Sequence, residues 1–438
     1  MKKYLVRSGM LPEYSYNEFD ILDRDRFGSN NGNLVYQYSV IRTLMNENVE
    51  IYSDEYSTNP DRAEEINEKY DAYIIPLADA LRDNFIPHLK NYTKLIKRLT
   101  IPVVVIGVGL KAPYNYDVTK GFKFDKEVKE FISAVLEKSN IIGLRGQITG
   151  DYLTYLGFKP EKDFTVIGCP SMYAFGREIK LKPININEES LISLNASNIV
   201  TEEVMQFLTN IATEFPNYYF IPQSYREFLL NYFGFGSIKN VVPSFPQNVK
   251  SKFYKEGRVK YFLNVPTWFQ YASEASLSIG TRLHGNIVAT INGTPSITIV
   301  SDARMRELAL YHGLPSITPA DITEHTDLKK LINEIDFKEV ETIQPKRFDH
   351  FIDFLNKNKL EHIYKRDKNR KDAPLDTIME KIYYHEPITT ITKISEEEIG
   401  KRLTVGYEIY KQREERLRNK RVRQLQSELN NLKNKLKK

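Results

Sequence analysis

The chain has 438 residues, 41% hydrophobic and 27% charged, which is apolar material for two or three packed domains of roughly 150 residues and excludes wholesale disorder. Its single cysteine, Cys169, excludes an intrachain disulfide framework and any multi-cysteine zinc or iron–sulfur centre. The net charge of +5 is uneven: residues 411–438 hold eleven Lys/Arg against three Glu, a local +8 that leaves the body at −3, so the basic balance belongs to the tail and gives no sign of a nucleic-acid groove in the body, and no nucleic-acid partner is expected.

The N-terminus begins Met1-Lys2-Lys3 but no apolar core follows, so no signal peptide is expected, and the longest apolar run, 101–110, is too short to cross a bilayer. A cytoplasmic protein is the expectation. Short apolar runs predict strands at 73–76, 103–107, 141–144, 165–168, 191–195, 218–221, 277–280 and 297–300. Helical patterns fall between them at 34–46, 85–99, 125–138, 149–156, 202–215, 286–292 and 305–311. This alternation predicts an α/β fold with parallel sheets: two Rossmann-like domains, 1–180 and 185–330, facing a cleft. A helical extension over 331–400 follows, and then a basic amphipathic helix or short coiled coil over 401–438. In that tail Val422, Leu425, Leu429, Leu432 and Leu436 are spaced 3, 4, 3, 4, the seam of a coil. It suits a homo-oligomer formed through 422–436, a peripheral contact with anionic lipid on the inner face of the membrane, or a solvated helix.

Candidate chemistry sits where predicted strands end. The loop Gly28-Ser29-Asn30-Asn31-Gly32-Asn33 brings backbone close to a ligand, with Asn31 and Asn33 as cleft contacts. Gly107-Val108-Gly109 is a lone G-x-G and weak as a nucleotide signal. Arg145 closes the 141–144 strand ahead of a helix, a candidate anion contact. Cys169 reads as a small buried residue. The most informative run is Gly280-Thr281-Arg282-Leu283-His284-Gly285-Asn286: a strand, a glycine turn and a helix start, with amides at Gly285 and Asn286 for an anion. Arg282 offers a planar fork for phosphate or carboxylate, and His284 titrates near neutral pH. The plainer alternative pairs Arg282 with a structural carboxylate and leaves His284 in the core. Ser301, Asp302 and Arg304 open the next helix, where they face the same cleft or solvent. The seven histidines show no metal-ligand spacing, so no metal is expected, and no G-x-S-x-G elbow is present.

The runs Gly280–Gly285 and Asn292–Ile297, the pattern Asp302…Arg304…Glu307-Leu308…Gly313-Leu314-Pro315, the loop at Asn31–Leu34 and the stretch Leu144-Arg145…Thr149…Leu156-Gly157 resemble the polysaccharide pyruvyl transferase family over about residues 28–316. Gly168-Cys169-Pro170 departs from the Asp-Pro of many members. The resemblance implies a fold like that of GT-B glycosyltransferases, phosphoenolpyruvate as donor, and no cofactor. It implies a saccharide or lipid-linked saccharide acceptor whose hydroxyl pair becomes a cyclic pyruvate ketal. It makes His284 the catalytic acid/base and places the donor against Arg282, Arg145, Gly285 and Asn286, with the N-terminal domain as the acceptor side. Two readings compete with it: a nucleotide-sugar glycosyltransferase of the same architecture, and a non-catalytic assembly protein working through its tail.

Overall fold

The computed structural model describes residues 1–236 and 238–436. Strands β1 (Lys2–Val6), β2 (Val49–Ser53), β3 (Ala72–Pro76) and β4 (Val103–Ile106) form a parallel sheet in the order β2-β1-β3-β4. A parallel pair, β5 (Ile142–Leu144) and β6 (Phe164–Val166), continues it past β4 through a bridge between Val108 and Leu144. Every residue of β3 and β4 is buried, so these strands read as unbroken apolar runs.

The second half of the chain supplies β7 (Ile192–Asn195), β8 (Tyr218–Phe220), β9 (Lys260–Tyr261), β10 (Leu277–Gly280), β11 (Ser296–Ile299) and β12 (Ser316–Ile317). All but β9 form a second parallel sheet, β12-β11-β10-β7-β8. The short β9 pairs antiparallel with β13 (Ile388–Thr389). The chain reverses its lateral direction between β1 and β3 in one sheet and between β7 and β10 in the other, the positions where open parallel sheets bind ligands beyond their carboxyl ends.

The helix Gly32–Leu44 is buried nearly all round, because it lies between the first sheet and the second domain's helices. After the second sheet the chain returns to the first domain. Helix Glu339–Lys357 ends at Asn358, whose Oδ1 accepts from the backbone of Asn140 and Ile141, and Asp376 pairs with buried Arg42 at 2.6 Å. This is the expected α/β architecture of two Rossmann-like sheets facing a cleft, GT-B-like, with a C-terminal helical extension. The extension ends in one helix, Tyr407–Leu436; Leu432 and Leu436 of the expected seam, with Lys437 and Lys438, lie outside the residues whose side chains are described. Among the described residues no helix is long and apolar enough to cross a membrane.

Several elements differ from expectation. β1 and β2 were not predicted, since the run Lys2–Val6 opens with two exposed lysines and is too short to show a period. The helix expected over 286–292 runs from Leu283 to Ile291, which moves His284 into its first turn.

Candidate active site

A cavity of about 350 Å³ opens where the carboxyl ends of the two sheets face each other. The first domain lines it with the loop at Gly28–Asn30, with Asp79 and Arg82 after β3, Lys111 beyond β4, and Arg145 directly after β5. The second domain contributes Ser197 and Asn198 after β7, Gln223 and Ser224 after β8, Thr281–His284 after β10, and Ser301, Asp302 and Arg304 after β11. Five cations and two carboxylates border it, so the cavity carries an excess of positive charge.

Arg145 is fully buried, and its backbone N–H donates to Val108 in line with the sheet. Its guanidinium lies 5.2 Å from the Tyr36 ring centroid and Nη2 reaches Cys169 Sγ at 3.8 Å. Nε and Nη1 have no partner among the described residues. Among the described residues no carboxylate hydrogen-bonds it; Asp79 and Glu307 act on it by charge alone, so its Nε and Nη1 keep bonding capacity that an anion can use.

Arg282 is the opposite case. Its Nη2 meets Glu227 Oε2 at 2.7 Å and its Nε donates to the carbonyl of Ala196; Glu227 is buried and Arg282 partly so. The same Oε2 accepts from the backbone of Gln223 and Ser224, capping the helix Tyr225–Phe233. Arg282 thus borders the cavity as expected, with a carboxylate already beside its charge.

His284 lines the cavity half-buried, with Nε2 3.7 Å from Cys169 Sγ and its ring edge-on to Tyr36. Burial, then the nearby charges of Arg145 and Arg304, push its pKa down to about 3, against a weaker opposing pull from Asp79. Against the expectation of a histidine titrating near neutrality, the structure holds the ring neutral. Cys169 is buried as expected; its backbone N–H donates to His312 Nε2 at 2.8 Å, which holds the sulfur between Arg145 and His284.

The remaining expected contacts divide. Arg304 borders the cavity and shares Asp79 with Arg82, at 3.4 and 3.3 Å. Burial would raise the Asp79 pKa, yet Arg304, Arg82, Arg145 and Lys111 together hold it below the usual range. Asp302 and Ser301 also line the cavity, Asp302 as the N-cap that accepts from Met305 N–H. Asn33 lines it while donating to the carbonyl of Phe27.

Three expectations fail. Asn286 is buried and fully engaged: Oδ1 accepts from Asn195 and Ser278, and Nδ2 donates to the carbonyl of Gly280. Gly285 packs against the side chains of Asn195 and Gln223, where a Cβ would come within 3.1 Å of each amide. Both brace the turn instead of facing a ligand. Asn31 is buried towards the second domain, donating to the carbonyl of Phe262. The turn itself needs glycine at 280, where φ is +155° and a Cβ would lie 1.8 Å from the carbonyl oxygen of Asn195.

Asp79, Arg82, Lys111, Gln223 and Glu227 escaped the sequence reading. The signal for Asp79 and Arg82 was available: they directly follow the 73–76 strand, at its carboxyl end. Nothing local marked Glu227, 55 residues from Arg282. Among the described residues no group of three or more His, Cys, Asp or Glu is placed to hold a metal ion.

The family model described as polysaccharide pyruvyl transferase matches residues 12–302. No curated protein is matched in sequence. Solved structures similar to this chain include the UDP-GlcNAc 2-epimerase of Neisseria meningitidis bound to UDP-GlcNAc, with TM-score 0.44 and 10% identity over 81% of this chain and 100% of that one. The UDP-GlcNAc 2-epimerase of Methanocaldococcus jannaschii in complex with UDP-GlcNAc and UDP gives 0.42 and 13%, over 81% and 99%. A functionally uncharacterised protein from Klebsiella pneumoniae gives 0.35 and 13%, over 72% and 93%.

Proposed function

Because the chain belongs to the polysaccharide pyruvyl transferase family, we propose that it moves the pyruvyl group of phosphoenolpyruvate onto a hydroxyl pair of a saccharide, forming a cyclic ketal. The observation that carries this reading is Arg145: a buried, unpaired guanidinium at the edge of a cationic cavity, within reach of the same sulfur as His284. A donor with phosphate and carboxylate charges supplies what that site lacks. Arg145 and Arg304 take the donor anion, with Lys111 at the rim. The start of helix Leu283–Ile291, where the Arg282 side chain makes no cap, adds the Leu283 and His284 amides. In this reading the donor lies against the first domain and Arg304, the reverse of the side expected from sequence, and the neutral wall of Ser197, Asn198 and Gln223 faces the acceptor.

The proton account closes with one acid/base group. The donor's negative charge offsets Arg145 and Arg304, so it raises the pKa of His284 and brings a proton with it. His284 gives that proton to C3 of the enol, which makes C2 electrophilic. A sugar hydroxyl forms a bond to C2 and its proton returns to His284. The bond from C2 to the phosphate oxygen then breaks, the second hydroxyl closes the ketal, and its proton leaves with phosphate. Acid/base catalysis of this kind contributes roughly 10²–10⁴-fold, and fixed cations stabilise the departing phosphate.

The test is phosphate release from phosphoenolpyruvate across a panel of saccharide and lipid-linked saccharide acceptors. Release that depends on the acceptor, with a product heavier by one pyruvate less one water, is expected. Binding of UDP or GDP without binding of phosphoenolpyruvate would instead assign the cleft to a nucleotide-sugar glycosyltransferase, and binding of none of these would favour a non-catalytic role.

A further inference from the structure

Among the described residues, the C-terminal helix Tyr407–Leu436 is anchored only at its beginning. Tyr407 and Tyr410 stack against Phe233 and Phe235, Arg413 lies over Tyr225, and Arg416 reaches Asp23. From Glu414 onward every described side chain is exposed, and past Arg416 about 20 residues, roughly 30 Å of helix, show no described side-chain packing on the body. Hydrophobic packing usually stabilises a helix of this length, and among the described residues this one has none within its own chain beyond its root.

Two features indicate what covers it. The first is charge: eleven Lys/Arg against three Glu in residues 411–438, on a chain whose remainder is −3. The second is an apolar stripe. Val422, Leu425 and Leu429 are 45%, 46% and 51% exposed, and at about 100° per residue they fall within an arc of about 60°. Arg418 lies inside that arc and Arg421 beside it, where long cationic side chains bury their stems and keep their heads in the headgroup layer. Lys420 and Arg423 lie on the other side, about one helix diameter away, a distance comparable with the screening length at physiological salt.

We propose that this helix docks the protein peripherally on an anionic lipid surface. The complementarity is of charge first, with each Lys/Arg near such a surface contributing about 1 kcal/mol, and of apolar contact second, through Val422, Leu425 and Leu429. A second copy of the chain fits less well, since pairing along this stripe sets Arg418 in the seam and brings two strongly basic helices side by side. A nucleic acid leaves the apolar stripe unused. The inference does not depend on the donor chemistry, and its consequence is that the cleft works near a membrane, where a lipid-carried acceptor resides.

The experiment is flotation of the full chain with vesicles of phosphatidylcholine alone or mixed with phosphatidylglycerol. Binding to the mixed vesicles only is expected, lost as salt rises. The fourfold variant Arg418→Gln, Lys420→Gln, Arg421→Gln, Arg423→Gln should reduce partitioning by a hundredfold or more, on the order of four such contributions. Leu425→Gln with Leu429→Gln should reduce it by a smaller factor at every salt concentration. Both variants lie outside the cleft, and circular dichroism checks that the helix persists. Absence of vesicle binding, or equal binding to neutral and anionic vesicles, overturns the proposal. So does a mass in light scattering that falls in the leucine variant while no vesicle binding is seen, which would assign the stripe to a second copy.

Discussion

Arg145 and Arg282 occupy matching places in the two halves of the molecule. Each follows a parallel strand, precedes the helix that the strand feeds, and borders the same cavity. They differ in what they face. Arg282 meets a buried carboxylate at 2.7 Å, and that carboxylate also caps a helix; Arg145 meets an aromatic face and a sulfur, with two of its nitrogens unpartnered among the described residues. In the proposed reading, the arginine bonded within the chain serves the architecture, and the one with free nitrogens takes the donor. Position at a strand end does not distinguish the two roles; the partner does.

Substitution separates them most sharply. Arg145→Met should weaken phosphoenolpyruvate binding by about a hundredfold or more, the scale of losing a buried charge pair. Its melting temperature should hold or rise, because an unpaired buried cation has been removed. Arg282→Met should do the reverse: it strands Glu227 in the core, at a cost of about 3–5 kcal/mol. Thermal unfolding should show that loss, with donor affinity in the surviving folded protein little changed, and Glu227→Gln added to it should recover part of the stability. A loss of donor binding in Arg282→Met equal to that in Arg145→Met would dissolve the contrast.

His284→Ala should lower turnover by roughly 10²–10⁴-fold while phosphoenolpyruvate still binds, read by phosphate release and calorimetry on the same preparation. A smaller effect is the proton that accompanies the donor. Calorimetry in buffers of different ionisation enthalpy should show uptake on binding by the wild type, and little or none by His284→Ala.

The smallest effect is on stability. His284 and His312 have pKa values near 3 and His362 near 4 in the folded protein, against 6.5 unfolded, through burial first. Lowered folded values mean that the unfolded chain takes up protons first as pH falls. The stability these groups provide is whole above about pH 6.5 and is lost between there and about pH 3, by up to about 1.4 kcal/mol per unit for each histidine. Denaturant melts from pH 7.5 to 5 should show this slope, and Arg145→Met should flatten it slightly by removing one of the charges that depress His284.

Much of the cleft was legible in the sequence. The β10–turn–helix segment announced itself through an apolar strand, a glycine and a helix, and it placed His284 at the cleft. The helix start was misjudged by three residues because Gly285 and Asn286 are weak helix formers that tertiary hydrogen bonds hold in place. The balance between Arg145 and Arg282 was not legible, because it depends on a carboxylate 55 residues away in sequence. Asn286 and Asn31 looked like ligand contacts for the same reason: an amide side chain does not reveal in one dimension whether the chain itself satisfies it. The lysine-rich start of β1 hid a strand from the middle of the first sheet.

Titration of phosphoenolpyruvate into the wild type, Arg145→Met and Arg282→Met by calorimetry is the most direct trial. The account predicts a saturable signal with proton uptake in the wild type, its collapse in the first variant and its survival in the second. Binding that persists without Arg145, or that disappears only when Arg282 is replaced, would contradict it.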